Sequence, residues 1–149
     1  MKSVPVNRPL IKGNELNFVS DCIKSGWISS DGSYVKKFEK EFAKLVSRKY
    51  AVSVSSGTAA LDIAIKSINI KKDDEVIVPA FTIISCLHQI VRQGGKPILV
   101  DSDPLTWNID VTKIEEKISK KTKAIVIVHI YGLPVDIDPV IKLAKKYNL

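Results

Sequence analysis

From residue 50 onward, short apolar runs rich in β-branched residues alternate with helical patterns, and this rhythm limits the possible folds most strongly. Apolar residues three and four positions apart predict a helix after each run. A run such as Ile125–Val128 has no polar residue, which is typical of a strand covered on both faces. The alternation therefore predicts an α/β fold with three α/β/α layers and a mainly parallel sheet. Its predicted strands are Tyr50–Val54, Glu75–Val78, Pro97–Val100 and Ala124–Val128.

Helices are predicted both before and after the first strand along the chain. Two precede it, over Glu15–Ser25 and from about Tyr34 to Val46, and a loop with two glycines separates them. The longest interruption of the later pattern is the loop Asp101–Asp110. The later helical stripes consist of Leu61, Ala64, Ile65 and Ile68; of Ile83, Leu87, Ile90 and Val91; of Ile114 and Ile118; and of Ile137, Val140, Ile141 and Ala144.

Composition excludes several classes of protein. The 149 residues are 45% hydrophobic and 26% charged, which is typical of a globular protein rather than a disordered or fibrous one. The net charge is +7, but the lysines occur in short pairs without interleaved aromatic residues, so nucleic acid is not an expected partner. No apolar run is long enough to span a membrane, which makes the cytoplasm the default location. Cys22 and Cys86 lie in apolar helical patterns and are predicted to be small core residues.

The turn between the first strand and the next helix has the composition of an anion site. It reads Ser55-Ser56-Gly57-Thr58. Backbone N–H groups at a helix start are unpaired, the helix dipole adds positive potential, and a glycine allows a phosphate to approach closely. Alternatively, Ser55 or Ser56 only caps the helix and Gly57 only forms a tight turn. No P-loop lysine and no G-x-G-x-x-G motif is present, so nothing supports a nucleoside triphosphate or dinucleotide ligand.

Several short motifs follow one another in a fixed order along most of the chain. They are Ser25–Gly32, Phe38-Glu39, Ser56–Leu61, Asp74–Thr82, Gly95-Lys96-Pro97 with Asp101, Lys121–Ile125 and Val128–Gly132. In this order and spacing the chain resembles the DegT/StrS-type sugar aminotransferases, a family of the aspartate aminotransferase fold. The resemblance implies that residues 1–149 are the N-terminal part of the large domain that binds pyridoxal 5'-phosphate (PLP).

The resemblance also implies roles for individual residues. Gly57 and Thr58 would hold the PLP phosphate, in agreement with the anion-site interpretation. Ile83 would cover the PLP ring at a position where many relatives carry an aromatic residue, or it could be a core residue of its helical stripe. The nucleotide-sugar side would be lined by Gly26, Trp27, Ile28, Ser29 and Ser56.

The implied reaction transfers an amino group from glutamate to a nucleotide-linked 4-keto-6-deoxy sugar, in an active site formed by a homodimer. The sequence of the segment Asp103–Asp110 resembles that of the perosamine-synthase branch, whose sugar is linked to GDP. Related PLP dehydratases share the same N-terminal pattern. His129 and Tyr131 follow a predicted strand, and they are either ligand contacts or a hydrogen-bonded histidine with a packing tyrosine.

The family's Schiff-base lysine, its acid for the pyridine nitrogen and its small C-terminal domain are expected beyond Leu149. We therefore expect a truncated or split portion without activity of its own, and we assign no catalytic residue. The alternatives are a non-catalytic module that binds PLP, a sugar nucleotide or a full-length homologue, and a basic protein that binds nucleic acid.

Overall fold

A computed structural model describes residues 3–5 and 8–149. The chain forms two compact units, one up to Ser53 and the other over Val54–Leu149. The sequence-based prediction of one large-domain segment over residues 1–149 stays a prediction. Among the described residues, no helix is long and apolar enough to cross a membrane.

The first unit contains two helices, α1 over Glu15–Ser25 and α2 over Ser33–Leu45. Helix α1 ends because Gly26 adopts a left-handed conformation, with φ of 75°, and donates its N–H to the carbonyl oxygen of Ile23. Both predicted helices are confirmed, the second with a shift of one residue at each end.

The second unit is built on three parallel strands. They are β1 over Glu75–Pro79, β2 over Lys96–Val100 and β3 over Thr122–Ile125. Strand β1 lies in the centre, between β2 and β3. The predicted parallel sheet is confirmed.

Helices cover both faces of the sheet, because successive side chains of β1 point to opposite sides. Val76 and Val78 pack with buried residues of α3 (Gly57–Ser67) and α4 (Ser85–Arg92). Ile77 packs on the other face, in a cluster that includes Val140 of α5, the helix over Ile137–Tyr147. These two cores make the three α/β/α layers, and the predicted fold class is confirmed.

The predicted strand Tyr50–Val54 is wrong in this structure. None of its residues is in a strand, and Val52 is 75% exposed. A strand needs a neighbour with which it exchanges backbone hydrogen bonds, and no described strand pairs with this segment. Its β-branched pattern indicates a preference, whereas pairing is a tertiary property.

Two further elements are shorter than predicted. The stripe of Ile114 and Ile118 forms no α-helix but two short 3-10 turns, Val111–Lys113 and Glu115–Lys117. Ile114 lies between the two turns, and its side chain is fully buried. Strand β3 ends at Ile125 rather than at Val128, although the N–H of Val126 still donates to the carbonyl oxygen of Ile77.

Candidate functional site

The start of α3 carries the predicted anion site, and we call Ser56, Gly57 and Thr58 the α3 cradle. Ser56 is the N-cap of α3, and its hydroxyl oxygen accepts a hydrogen bond from the N–H of Ala59 at 3.2 Å. Ser56 rather than Ser55 therefore caps the helix, and whether it also contacts a ligand stays a prediction. All three cradle residues are exposed, so the first N–H groups of the helix lie at the surface where an anion can reach them.

Gly57 faces open space. A Cβ atom added to it would meet no atom within 4 Å, and its φ lies outside the left-handed region. Neither packing nor backbone conformation of the described chain therefore requires a glycine here. The open space at Gly57 leaves the backbone accessible to a ligand that approaches closely.

A second hydroxyl lies next to the cradle. The side-chain oxygens of Thr58 and Ser85 are 3.1 Å apart, although the residues belong to different helices. Ser85 is the first residue of α4, so the starts of α3 and α4 converge. Sequence reasoning missed Ser85. A serine at a helix start is a recognisable cap signal, but nothing in the sequence pairs it with Thr58.

Ile83 lies two residues before α4 and is 66% exposed. Its interpretation as a core residue of the helical stripe is therefore wrong, because the helix begins only at Ser85 and Ile83 contributes to neither buried core. The carbonyl oxygen of Ile83 accepts from the N–H of Cys86 and so forms the turn that leads into α4. An apolar side chain is thus exposed beside the helix whose first residue contacts the cradle.

The predicted substrate residues lie in the first unit, apart from Ser56. Trp27, Ile28 and Ser29 line a groove with a volume of about 610 Å³. Trp27 is 57% exposed and Ile28 is 80% exposed, so both present apolar surface to solvent. Gly26 does not line the groove but ends α1 and turns the chain into it. The other groove residues are mostly apolar and include Phe18, Val19, Cys22, Ile23, Tyr34, Val35 and Phe38.

Buried Asn108 determines the position of the chain after β3. Its side-chain oxygen accepts from the N–H of Ile130, and its side-chain nitrogen donates to the carbonyl oxygen of Leu133, each at 3.0 Å. His129 Nδ1 accepts from the N–H of Val135 at 3.0 Å, which confirms a hydrogen-bonded histidine. Tyr131 is 89% exposed and has a left-handed φ of 49°, so the packing interpretation of Tyr131 is wrong. Sequence reasoning gave Asn108 no role.

Other polar groups in the described ranges serve structural contacts. Glu39 accepts hydrogen bonds from the N–H and the hydroxyl of Ser53, and these hold the pKa of Glu39 below its usual value. Cys86 is buried and Cys22 is partly buried, and both are free thiols. No group of three or more His, Cys, Asp or Glu side chains among the described residues could hold a metal ion.

Comparison with known proteins identifies the family of this chain. The model of the DegT/DnrJ/EryC1/StrS aminotransferase family matches residues 9–149. The chain belongs to this family. GDP-perosamine synthase of Escherichia coli O157:H7 is 47% identical over 149 residues, which are all of this chain and 41% of the synthase. The resemblance to the DegT/StrS family and to its perosamine-synthase branch is therefore confirmed.

Solved structures of similar proteins share the fold of this chain. GDP-4-keto-6-deoxy-D-mannose-3-dehydratase of E. coli, with bound hydrated PLP, matches all of this chain with a TM-score of 0.89 at 31% identity. NtdA of Bacillus subtilis, with bound pyridoxamine phosphate (PMP), matches 90% of the chain with a TM-score of 0.82 at 35% identity. The chain spans about two-fifths of the synthase and of the dehydratase, and 31% of NtdA. The DegT/StrS family is PLP-dependent.

Proposed function

We propose that this chain is the cofactor-cradling part of a PLP-dependent sugar aminotransferase. The amino donor is glutamate, and the acceptor is a nucleotide-linked 4-keto-6-deoxy sugar. The observation that carries the proposal is the α3 cradle, in which Gly57 opens the helix start to an anion and Thr58 adds a hydroxyl. The identity to GDP-perosamine synthase supports GDP as the nucleotide.

The residues of the cradle have distinct tasks in this proposal. The N–H groups at the start of α3 and the hydroxyl of Thr58 bind the phosphate of PLP, because both donate hydrogen bonds and the helix dipole favours an anion. The exposed side chain of Ile83 packs on the ring and keeps water from that side. When it is bound, PLP supplies an electron sink that stabilises negative charge on the carbon atom bearing the transferred amino group.

Gly26, which ends α1, and the groove residues Trp27, Ile28 and Ser29 are proposed to bind the sugar nucleotide. The exposed indole of Trp27 offers a flat face for a planar base, and the hydroxyl of Ser29 offers a hydrogen bond to a sugar hydroxyl. Ser56 is proposed as a further substrate residue, as the family resemblance implies. The full-length enzyme is proposed to be a cytoplasmic homodimer, and the two free thiols fit a reducing compartment.

Ligand binding tests the proposal directly. PMP is the preferred probe because it lacks the aldehyde that would react with surface lysines. We expect the 149-residue chain to bind PMP more tightly than pyridoxamine, which has no phosphate, in calorimetric titrations. Thr58→Val should remove about 1.5–3 kcal/mol of that difference, the contribution of a hydrogen bond to a charged group. Equal affinity for the two compounds would contradict the cradle.

Turnover tests the division between binding and chemistry. The chain with PLP, glutamate and a GDP-4-keto-6-deoxy sugar is expected to form no amino sugar, because no lysine in it matches the family's cofactor-bonded position. Sequencing the transcript beyond the codon for Leu149 is the companion experiment. An acid on a strand and a later lysine in frame would support the aminotransferase, whereas an immediate stop codon would leave only the binding role.

A further inference from the structure

The contact between Thr58 and Ser85 joins two helix starts that are 27 residues apart in sequence. Thr58 is exposed and Ser85 is partly buried, so Thr58 is the more accessible of the two hydroxyl-bearing residues. Each hydroxyl has one proton to donate and two lone pairs to accept with. Within the pair, only one of the two protons can be used for the contact, and the other is free for a third partner.

An anion at the cradle would determine which hydroxyl donates. The phosphate needs a proton donor, so the proton of Thr58 turns outward and its oxygen accepts the proton of Ser85. Such a chain of hydrogen bonds polarises each member, which strengthens the outer bond. From this geometry we infer that Ser85 is a positioning residue for the PLP phosphate, acting through the hydroxyl of Thr58.

The same contact has a consequence for the ring side of the cofactor. Ser85 begins α4, and Ile83 lies in the turn just before it. A hydrogen bond from Ser85 to Thr58 therefore holds that turn at a constant distance from the cradle. Ser85 thus links phosphate binding at Thr58 with ring packing at Ile83, in addition to the buried core that α3 and α4 share. The inference rests on the proposed PLP site and adds a residue that the sequence did not indicate.

A double-mutant cycle tests the inference. PMP and pyridoxamine are titrated into the 149-residue chain and into Ser85→Ala, Thr58→Val and the double variant, with heat as the readout. Ser85→Ala is expected to weaken PMP binding about three- to tenfold, the equivalent of one hydrogen bond, and to leave pyridoxamine binding within about twofold. In the Thr58→Val background, Ser85→Ala should have no further effect, because its effect passes through Thr58.

Two controls separate positioning from folding. Ser85→Thr keeps the hydroxyl and should restore PMP binding to within about twofold of the unchanged chain. Ser67→Ala removes another helix hydroxyl, which bonds only the carbonyl oxygen of Ala64 at the far end of α3, and should leave PMP binding unchanged. Circular dichroism of every variant checks that the helices are retained.

The outcomes distinguish this inference from the proposed function. If PMP is preferred over pyridoxamine and Thr58→Val loses that preference, but Ser85→Ala has no effect or the same effect in both backgrounds, the role of Ser85 is overturned and the cradle stands. If Ser85→Ala weakens pyridoxamine and PMP equally, the role is also overturned. If the unchanged chain shows no preference for PMP, both the cradle and the role of Ser85 fail.

Discussion

At the scale of residues, two glycines have opposite reasons for being glycine. A Cβ on Gly57 would meet nothing within 4 Å, whereas a Cβ on Gly95 would lie 2.7 Å from Ile70 Cγ2 and 3.1 Å from Ile90 Cγ2. Gly95 is thus required by the packing of the second unit. Gly57 is not required by packing, and the proposed phosphate site would account for it.

This contrast predicts opposite effects on stability. Gly57→Ala should raise the free energy of unfolding by about 0.4–1 kcal/mol, because alanine restricts the unfolded chain and fits the helix, yet it should weaken PMP binding. Gly95→Ala should lower the free energy of unfolding by about 1–3 kcal/mol through overpacking. Urea denaturation followed by circular dichroism measures both. Unchanged PMP affinity in Gly57→Ala would contradict the ligand role.

Glu39 predicts a pH dependence of stability. Its two hydrogen bonds from Ser53, at 2.8 and 3.0 Å, lower the pKa of Glu39 in the folded chain. A carboxylate with a depressed pKa stabilises the fold fully above its unfolded pKa and loses that contribution as pH falls through the folded pKa. The free energy of unfolding should therefore fall as the pH drops below the ordinary pKa of a glutamate, and Glu39→Gln should flatten part of that fall.

The matched control for Glu39 is Glu41→Gln, on the same helix. Glu41 is exposed and pairs only with Lys44, at 3.1 Å, so its loss should change little. Urea denaturation at several pH values compares the two variants with the unchanged chain. An identical pH profile for Glu39→Gln and the unchanged chain would exclude this contribution of Glu39.

At the scale of elements, Asn108 joins the loop after β2 to the turn after β3. Asn108 is only 4% exposed, and its two amide hydrogen bonds end on Ile130 and Leu133. Asn108→Ala should lower the free energy of unfolding by about 1–3 kcal/mol, because it removes both bonds and leaves their backbone partners unpaired. Asn14→Ala, which loses no capping hydrogen bond, should change it by less than about 0.5 kcal/mol.

Asn108→Asp provides the sharper comparison. A carboxylate still accepts from the N–H of Ile130 but has no proton for the carbonyl oxygen of Leu133. Chemical denaturation should therefore rank it below the unchanged chain. A stability equal to that of Asn14→Ala would show that the two loops are held by other contacts.

The elements also show how far the sequence predicts the fold. The helix over Glu15–Ser25 could be predicted from its apolar periodicity, and the three parallel strands could be predicted from their short apolar runs between helical patterns. Tyr50–Val54 has the same local pattern as those strands but no described strand beside it. Local pattern gives the conformational preference of a segment, and pairing depends on segments distant in sequence.

At the scale of the whole molecule, the net charge of +7 acts on anionic ligands in general. A positive field raises the local concentration of a phosphate, and salt screens it. Affinity for PMP should therefore fall about two- to fivefold between about 50 and 500 mM NaCl, whereas affinity for pyridoxamine should not fall. Titrations at several salt concentrations measure this. A PMP affinity that does not change with salt would contradict a contribution of the net charge and leave only the contacts within the α3 cradle.

The candidate site was only partly predictable at this scale. The sequence indicated Gly57, Thr58, Trp27 and the other family positions, and where each acts on a ligand stays a prediction. It did not indicate that the substrate residues before Ser56 and the cofactor residues belong to different compact units. Unit boundaries follow from the density of contacts between distant residues, which a single sequence does not display.

By itself, the sequence determined the α/β class, the parallel sheet and a helix that begins after Ser55 and Ser56, because apolar patterns and cap chemistry act within a few residues. Only the tertiary structure decided that Ser85 contacts Thr58, that Ile83 is exposed and that Asn108 holds the turn at Ile130. Each of these depends on the approach of residues that are far apart in the chain. That approach is set by strand register and by the packing of helices on the sheet, to which local patterns contribute without specifying them.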